Sequence, residues 1–541
     1  MSVQPDPSSS SSGQQAGPAD PEHDPTASYA LDPAYVRSLT ARVVSTTGES
    51  VPTYTPITGQ PLAMIPQSSA ADVKEAFARA RRAQQAWSRT SLAHRSQLLL
   101  RLHDLVLDRQ AEIMDLICWE SGKARKHAYD EPLHVALTAR YYARTAHQHL
   151  DTQRRVGVVP GLTRVEVNQV PKGVVGIIAP WNYPFDLALI DGLPALLAGN
   201  AVVTKPDAQT MLSGLLAAEL LEAAGFPEGL WNVVAGPGRE LGGPIIERSD
   251  YLCFTGSTAT GKLIAAQCAD RLIGCSLELG GKNPILVLRD ADLDRAAEGA
   301  VRASFSSAGQ LCVSMERMFV ADQVYDRFKA KFVEQTKAMA LRPGIEWGSD
   351  MGSLISQSQL DTVTAHVDDA VAKGATVLAG GKARPDLGPY FYEPTILEGV
   401  TPDMTCFGNE TFGPVISLYR FHDEADAVSR ANAGEYGLNA SIYSKDTKRA
   451  RLLARQIKCG TVNINEAFGA TFASLDSPMG GMRESGMGRR QGAEGIHRYT
   501  ESQAVAVQKL IRFSPMFGMS DETFAKVMTA QTRLMTKLGR V

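Results

Sequence analysis

The chain has 541 residues, with 55 Lys and Arg against 58 Asp and Glu, a net charge of −3, and 44% hydrophobic residues. That balance is ordinary for a globular protein of roughly two to four domains and excludes the basic field that nucleic acid or an anionic membrane would need. No apolar run approaches the ~18 residues of a membrane span, no signal peptide is legible, and seven scattered cysteines without a Cys-x-x-Cys pair predict a reducing, cytoplasmic setting.

Residues 1–30 are rich in Ser, Pro, Gly and Asp and predict a disordered tail. From Ala71, Val73, Phe77, Ala80 and Trp87 recur at helical steps, and a second continuous helix is expected over Ser96 to Lys123, with Cys118 packed in it. After Pro171 the rhythm changes. GVVGIIAP, NAVVTKP, WNVVAG, YLCFTGS and CSLELGG read as strands separated by helices, which predicts a parallel sheet covered on both faces. Ligands of such sheets lie at the carboxyl ends of the strands, here APWN, TKPD, AGPG, FTGS and ELGG. A second α/β region is expected from Asn283 to Arg490, with NPILVL, ERMFVA, TVLAGG, GPVISLYR, ASIYS and TVNIN as strands. The late run TESQAVAVQKL predicts a strand added to another sheet or another subunit.

Three features point to chemistry. Cys312 sits in FSSAGQLCVS, among small and polar residues that leave room for another molecule, whereas a structural cysteine is normally surrounded by hydrophobes. Glu278, 34 residues earlier in LELGGKNP, ends a strand and supplies a carboxylate able to take protons from a thiol or water. FTGSTATG follows a strand and opens a helix, with Gly256 and Gly261 five apart, which suits an anion. GPGRELG, from Gly236, is GxGxxxG and not the dinucleotide fingerprint, and turn glycine is its simpler reading. No metal constellation is visible, and no GxSxG elbow is present.

APWNYPF, LELGGKNP, GQLC, ETFGP and GGMRESGMGR together resemble the aldehyde dehydrogenase superfamily, from about residue 35 to residue 510. KPDAQT, DMGSLIS, GGKARPD and SPMGGM bring the chain close to actinobacterial NADP-dependent succinate-semialdehyde dehydrogenases. The resemblance implies an α/β fold with a Rossmann-type cofactor domain (31–149 and 172–289), a catalytic domain (290–494), a β bridging arm (150–171 and 495–512) and a C-terminal extension (513–541). It also implies a homodimer or homotetramer. Cys312 would attack the aldehyde to give a thiohemiacetal and later a thioester. Asn182 would donate to the oxyanion beside the Cys312 N–H, and Glu278 would activate the hydrolytic water. Trp181, Lys205, Asp207, Ala208, Gly236, Gly256, Ser257, Gly261, Leu279, Glu410 and Phe412 would contact the cofactor. NAD-preferring relatives carry Glu where this chain has Ala208, which favours NADP with NAD still possible. Asp207 opposes a 2′-phosphate if it points the wrong way.

The substrate is less defined. Some relatives place an arginine after the PWN motif for a substrate carboxylate, but FDLALIDGLPA and NEAFGATFASLDSP hold no Arg or Lys. Ser474 and Ser477 are alternative polar partners, whereas Phe185 and Phe468 suit an apolar aldehyde. Succinate semialdehyde is the leading expectation. A broader aliphatic or aromatic aldehyde, or thiol esterase activity, is the alternative. Ser314 stands where some relatives have a second cysteine, so no local thiol switch is expected. The C-terminal extension reads as a partly helical amphipathic segment that docks on its own protein.

Overall fold

The computed structural model describes residues 30–158, 163–509 and 512–539. The expected N-terminal tail lies outside the described residues apart from its last position.

Five parallel strands and one antiparallel edge form the first sheet. Its order is Gly486–Met487, Gly274–Glu278, Tyr251–Thr255, Val174–Ile178, Ala201–Lys205, Trp231–Val233. The Val174–Ile178, Ala201–Lys205 and Tyr251–Thr255 strands are buried throughout, as their continuous apolar runs require. Chain order reverses between Val174–Ile178 and Tyr251–Thr255. That reversal opens a crevice outside their carboxyl ends, where Trp181, Asn182, Gly256 and Ser257 follow.

A seven-stranded sheet carries the second region, in the order Thr376–Ala379, Thr395–Glu398, Val415–Phe421, Met315–Ala321, Asn283–Val287, Asn439–Tyr443, Thr461–Ile464. Only its first pair is antiparallel. The strand Thr395–Glu398 has no counterpart among the sequence expectations. The run TESQAVAVQKL forms the strand Thr500–Gln508, paired antiparallel with Thr163–Pro171 of the same chain, and Gln153–Arg155 completes a three-stranded arm. Beyond Thr500 every residue of that strand is exposed.

Two expectations are corrected. The helix expected over Ser96 to Lys123 is two helices, Leu92–Asp108 and Gln110–Ser121, broken at Arg109. Arg109 bonds both Glu112 and Glu219 with its guanidinium, which ties the corner to the helix Met211–Ala224. The extension forms the helix Asp521–Lys537, but none of its residues is buried, so it does not dock on the described body. Phe524 meets Phe513 edge-on, close by in the same extension.

Candidate active site

Cys312 lies just past a strained turn. The helix Leu293–Phe305 ends at Ser306, and Ser307, Ala308 and Gly309 all take positive φ, at 52°, 55° and 70°. A Cβ on Gly309 would stand 2.0 Å from the carbonyl oxygen of Gly413, so only glycine fits there. Asparagine side chains clamp the following loop by its carbonyls. Asn182 Nδ2 donates to Gln310 O at 3.2 Å, Asn283 Nδ2 to Cys312 O at 2.8 Å and to Ser314 O at 2.7 Å, and Asn439 Nδ2 to Val313 O at 3.1 Å. Among the described residues the Cys312 N–H makes no hydrogen bond, and the second N–H of the Asn182 amide is not engaged either. Two donors are therefore free on the Cys312 loop and on the amide that clamps it, the kind of group that holds a developing oxyanion. Asn182 is itself fixed from below. Glu131 accepts from the N–H groups of Phe185 and Asp186 at 2.9 and 3.1 Å and pairs with Lys123 at 2.6 Å.

Glu278 closes its strand as a buried carboxylate whose Oε1 has no hydrogen-bond partner among the described residues. Burial pushes its pKa up to about 7, against the pull of the nearby Arg490. Burial and the Glu278 charge together push the Cys312 thiol up to about 12. The thiol therefore rests neutral next to a carboxylate poised to take a proton. Behind Glu278, Arg490 forms a bidentate pair with Asp191 at 2.8 and 2.7 Å and donates to Thr255 Oγ1 at 2.6 Å. Gly480 passes so close that a Cβ would be 3.0 Å from Glu278 Oε1.

The opposite wall carries Glu410 and Phe412. Glu410 Oε1 accepts from Gly281 N–H at 2.8 Å, and burial pushes its pKa up to about 8. Phe412 is held at φ 50°, and its ring meets Trp181 edge-on at 5.4 Å. Glu316, absent from the sequence expectations, holds this bend. Its carboxylate accepts from Thr411 N–H at 2.9 Å and Phe412 N–H at 3.0 Å and pairs with Lys282.

The remaining expected cofactor residues lie at or shortly after the carboxyl ends of the strands. Ser257 caps the helix Thr258–Asp270. Gly261 packs so tightly on Leu279 that a Cβ would meet its side chain at 2.4 Å. Gly256 lies equally close to the Phe254 ring, and Gly236 turns with φ 157° against Leu241. Lys205 is buried with its Nζ on Pro206 O at 3.0 Å, Ala208 is exposed, and Asp207 Oδ1 accepts from Gln209 N–H at 3.0 Å. This set fits a dinucleotide: a helix start for phosphates, a buried lysine at one end, and at the other a carboxylate and two perpendicular rings.

The expected substrate residues separate. Phe468 lines a cavity of about 230 Å³. Phe185 is fully buried in the core and offers no surface to an aldehyde, because its helix is drawn inward by Glu131. Ser474 is exposed, with its hydroxyl turned onto Ala470 O at 2.5 Å. No group of three or more His, Cys, Asp or Glu able to hold a metal is found among the described residues, and none of their helices is long and apolar enough to cross a membrane.

The family model described as the aldehyde dehydrogenase family matches residues 43–505. A Mycolicibacterium smegmatis protein, provisionally named succinate-semialdehyde dehydrogenase (NADP+), is 50% identical over 94% of this chain and 98% of the relative. A 3-sulfolactaldehyde dehydrogenase of Pseudomonas putida is 37% identical over 86% of this chain and 95% of its own. Among solved structures, a succinate-semialdehyde dehydrogenase from Burkholderia pseudomallei matches with TM-score 0.82 and 35% identity, covering 86% of this chain and 96% of the other.

Proposed function

The chain belongs to the aldehyde dehydrogenase family, and from that premise we propose that it oxidises succinate semialdehyde to succinate with NADP, through Cys312, Asn182 and Glu278. The observation that carries the reading is the neutral thiol of Cys312 beside a buried carboxylate with one unpartnered oxygen. In this reading Glu278 takes the thiol proton as the sulfur attacks the aldehyde carbon. The negative charge that develops on the aldehyde oxygen is met by the Cys312 N–H and the free amide proton of Asn182. Trp181, Gly256, Ser257, Gly261 and Leu279 would hold the dinucleotide, with Gly236 and Lys205 toward the adenosine end and Glu410 and Phe412 at the nicotinamide end. When bound, that cofactor supplies hydride acceptance, which raises the Cys312 adduct to the acid level. Glu278, once it has passed the thiol proton to solvent, then takes a proton from the water that attacks the thioester carbon, and Cys312 leaves as thiolate as the acid is released. A carboxyl pKa of about 7 leaves it half ionised at neutral pH, where it is both available and basic enough.

NADP preference is supported by the names of the close relatives and by the loop after Lys205. Ala208 brings no carboxylate there, and the Asp207 carboxylate is turned onto Gln209 N–H, which relieves the opposition foreseen from the sequence. Steady-state reduction of NADP and of NAD, with succinate semialdehyde, hexanal and benzaldehyde, tests the reading. The expected result is the highest kcat/KM for succinate semialdehyde with NADP. A preference for either uncharged aldehyde overturns the substrate, and a preference for NAD overturns the cofactor.

A further inference from the structure

The tail of the substrate has no cationic partner in the segments that follow Asn182 and Phe468. The structure supplies one from a different element. The 230 Å³ cavity that Phe468 lines is walled by the helix Asp130–Leu150, the loop from Glu466 to Ala473 and the helix Leu293–Phe305. Leu133, Leu137, Phe468 and Phe472 give it apolar sides, and Arg302 enters from the third wall. Arg302 also borders the adjoining cavity of about 570 Å³, which reaches Phe305 and Ser306 at the start of the turn leading to Cys312.

Of the other titratable groups there, His134, Lys126, Arg295 and Glu466 are engaged. His134 is bonded on both ring nitrogens, to Asp186 at 2.9 Å and to Gln491 at 3.2 Å. Lys126 is paired with Asp350 at 2.7 Å, and Arg295 donates to Asn465 O at 2.8 Å. Glu466 accepts from Ala467 N–H at 2.9 Å. Asp130 lies within the field of Arg302, and burial pushes its pKa up. Arg302 is held more loosely. Its half-exposed guanidinium makes no hydrogen bond among the described residues, is joined to Glu466 only by a 3.5 Å ion pair, and lies 5.4 Å over the Phe468 ring. It has up to five donors to offer on an apolar wall, the arrangement that favours a planar anion.

We propose that Arg302 is a specificity-determining residue that binds the anionic tail, carboxylate or sulfonate, of the aldehyde that Cys312 attacks. Glu466 competes with that tail for the guanidinium. The inference rests on the aldehyde-oxidation reading above but not on succinate semialdehyde being the substrate. The experiment compares kcat/KM for succinate semialdehyde, for 3-sulfolactaldehyde and for uncharged pentanal in the full chain and in Arg302→Leu, Arg302→Lys and Glu466→Gln. Thermal midpoints confirm that each variant folds.

Arg302→Leu is expected to lower the ratio of anionic to uncharged kcat/KM by about 10- to 100-fold, the range for losing a charge-assisted hydrogen bond. Lys at 302 recovers part of that ratio, and Glu466→Gln raises it. A ratio within twofold of the parent in Arg302→Leu overturns the inference while leaving succinate semialdehyde in place. A parent that prefers 3-sulfolactaldehyde, with the same loss in Arg302→Leu, supports the inference and overturns succinate semialdehyde instead. A parent that prefers pentanal to both anionic substrates overturns the two together.

Discussion

Two walls of the cleft each present a buried carboxylate, in opposite conditions. Glu316 is saturated: Lys282 on one side, the Thr411 and Phe412 N–H groups on the other. Glu278, equally buried, keeps one oxygen without a partner, and its charge is only partly offset by Arg490. A satisfied buried ion holds backbone in place, here the left-handed bend at Phe412, whereas an unsatisfied one is destabilised in its charged form and so becomes a proton acceptor near neutrality. Scaffold and reagent are thus the same residue type, and their hydrogen-bond partners tell them apart.

The contrast predicts that changes in the Glu278 corner reduce rate and spare the fold, while changes around Glu316 do the reverse. Cys312→Ala should lower NADP reduction on the order of 10⁴-fold or more, with a thermal midpoint close to that of the parent. A collapsed midpoint would break the distinction. Glu278→Gln should lower turnover by roughly 10²- to 10⁴-fold. With 4-nitrophenyl acetate it should slow both the acylation of Cys312 and the release of the acyl group, seen by intact-mass measurement over time. In the parent the acid limb of the rate profile should fall near pH 7, because Glu278 must be ionised to act, and Glu278→Gln should lack that limb.

On the braced wall, Lys282→Met leaves Glu316 buried and unpaired. It should lose about 3–5 kcal/mol in chemical denaturation, and an unchanged midpoint would sink the bracing role. The smallest effect concerns stability and pH. The folded pKa of Glu278, about 7, is raised above an unfolded value near 4.3. Its favourable contribution is therefore complete below about pH 4 and is lost as pH rises through 7. The thermal midpoint of Glu278→Gln should decline less than that of the parent between pH 5 and pH 8.

The parallel sheets and the positions of Cys312, Glu278 and Asn182 were legible because each lies at the end of a strongly apolar strand or in a local motif. Glu316 and Lys282 were not singled out, although they too are 34 residues apart, the same offset as Glu278 and Cys312. The parallel strands Asn283–Val287 and Met315–Ala321 bring Lys282 and Glu316 together at their starts, whereas Glu278 belongs to the other sheet. Arg302 was not legible because it approaches the cavity from a helix remote in sequence from both PWN and the Phe468 loop. Phe185 misled for the converse reason: proximity to Asn182 in sequence says nothing of which way a short helix turns, and Glu131, from a distant helix, turns it inward.

The asparagine clamp around Cys312 also bears on how the enzyme ages. Asparagine deamidates when the next backbone nitrogen attacks its side-chain carbonyl, a step that needs an N–H nucleophile and local freedom. Asn283, which holds the carbonyls of both Cys312 and Ser314, is followed by Pro284, whose nitrogen carries no hydrogen. Asn182 and Asn439 are buried and hydrogen-bonded in rigid surroundings. The residues that clamp the Cys312 loop are thus placed where this spontaneous damage is slow.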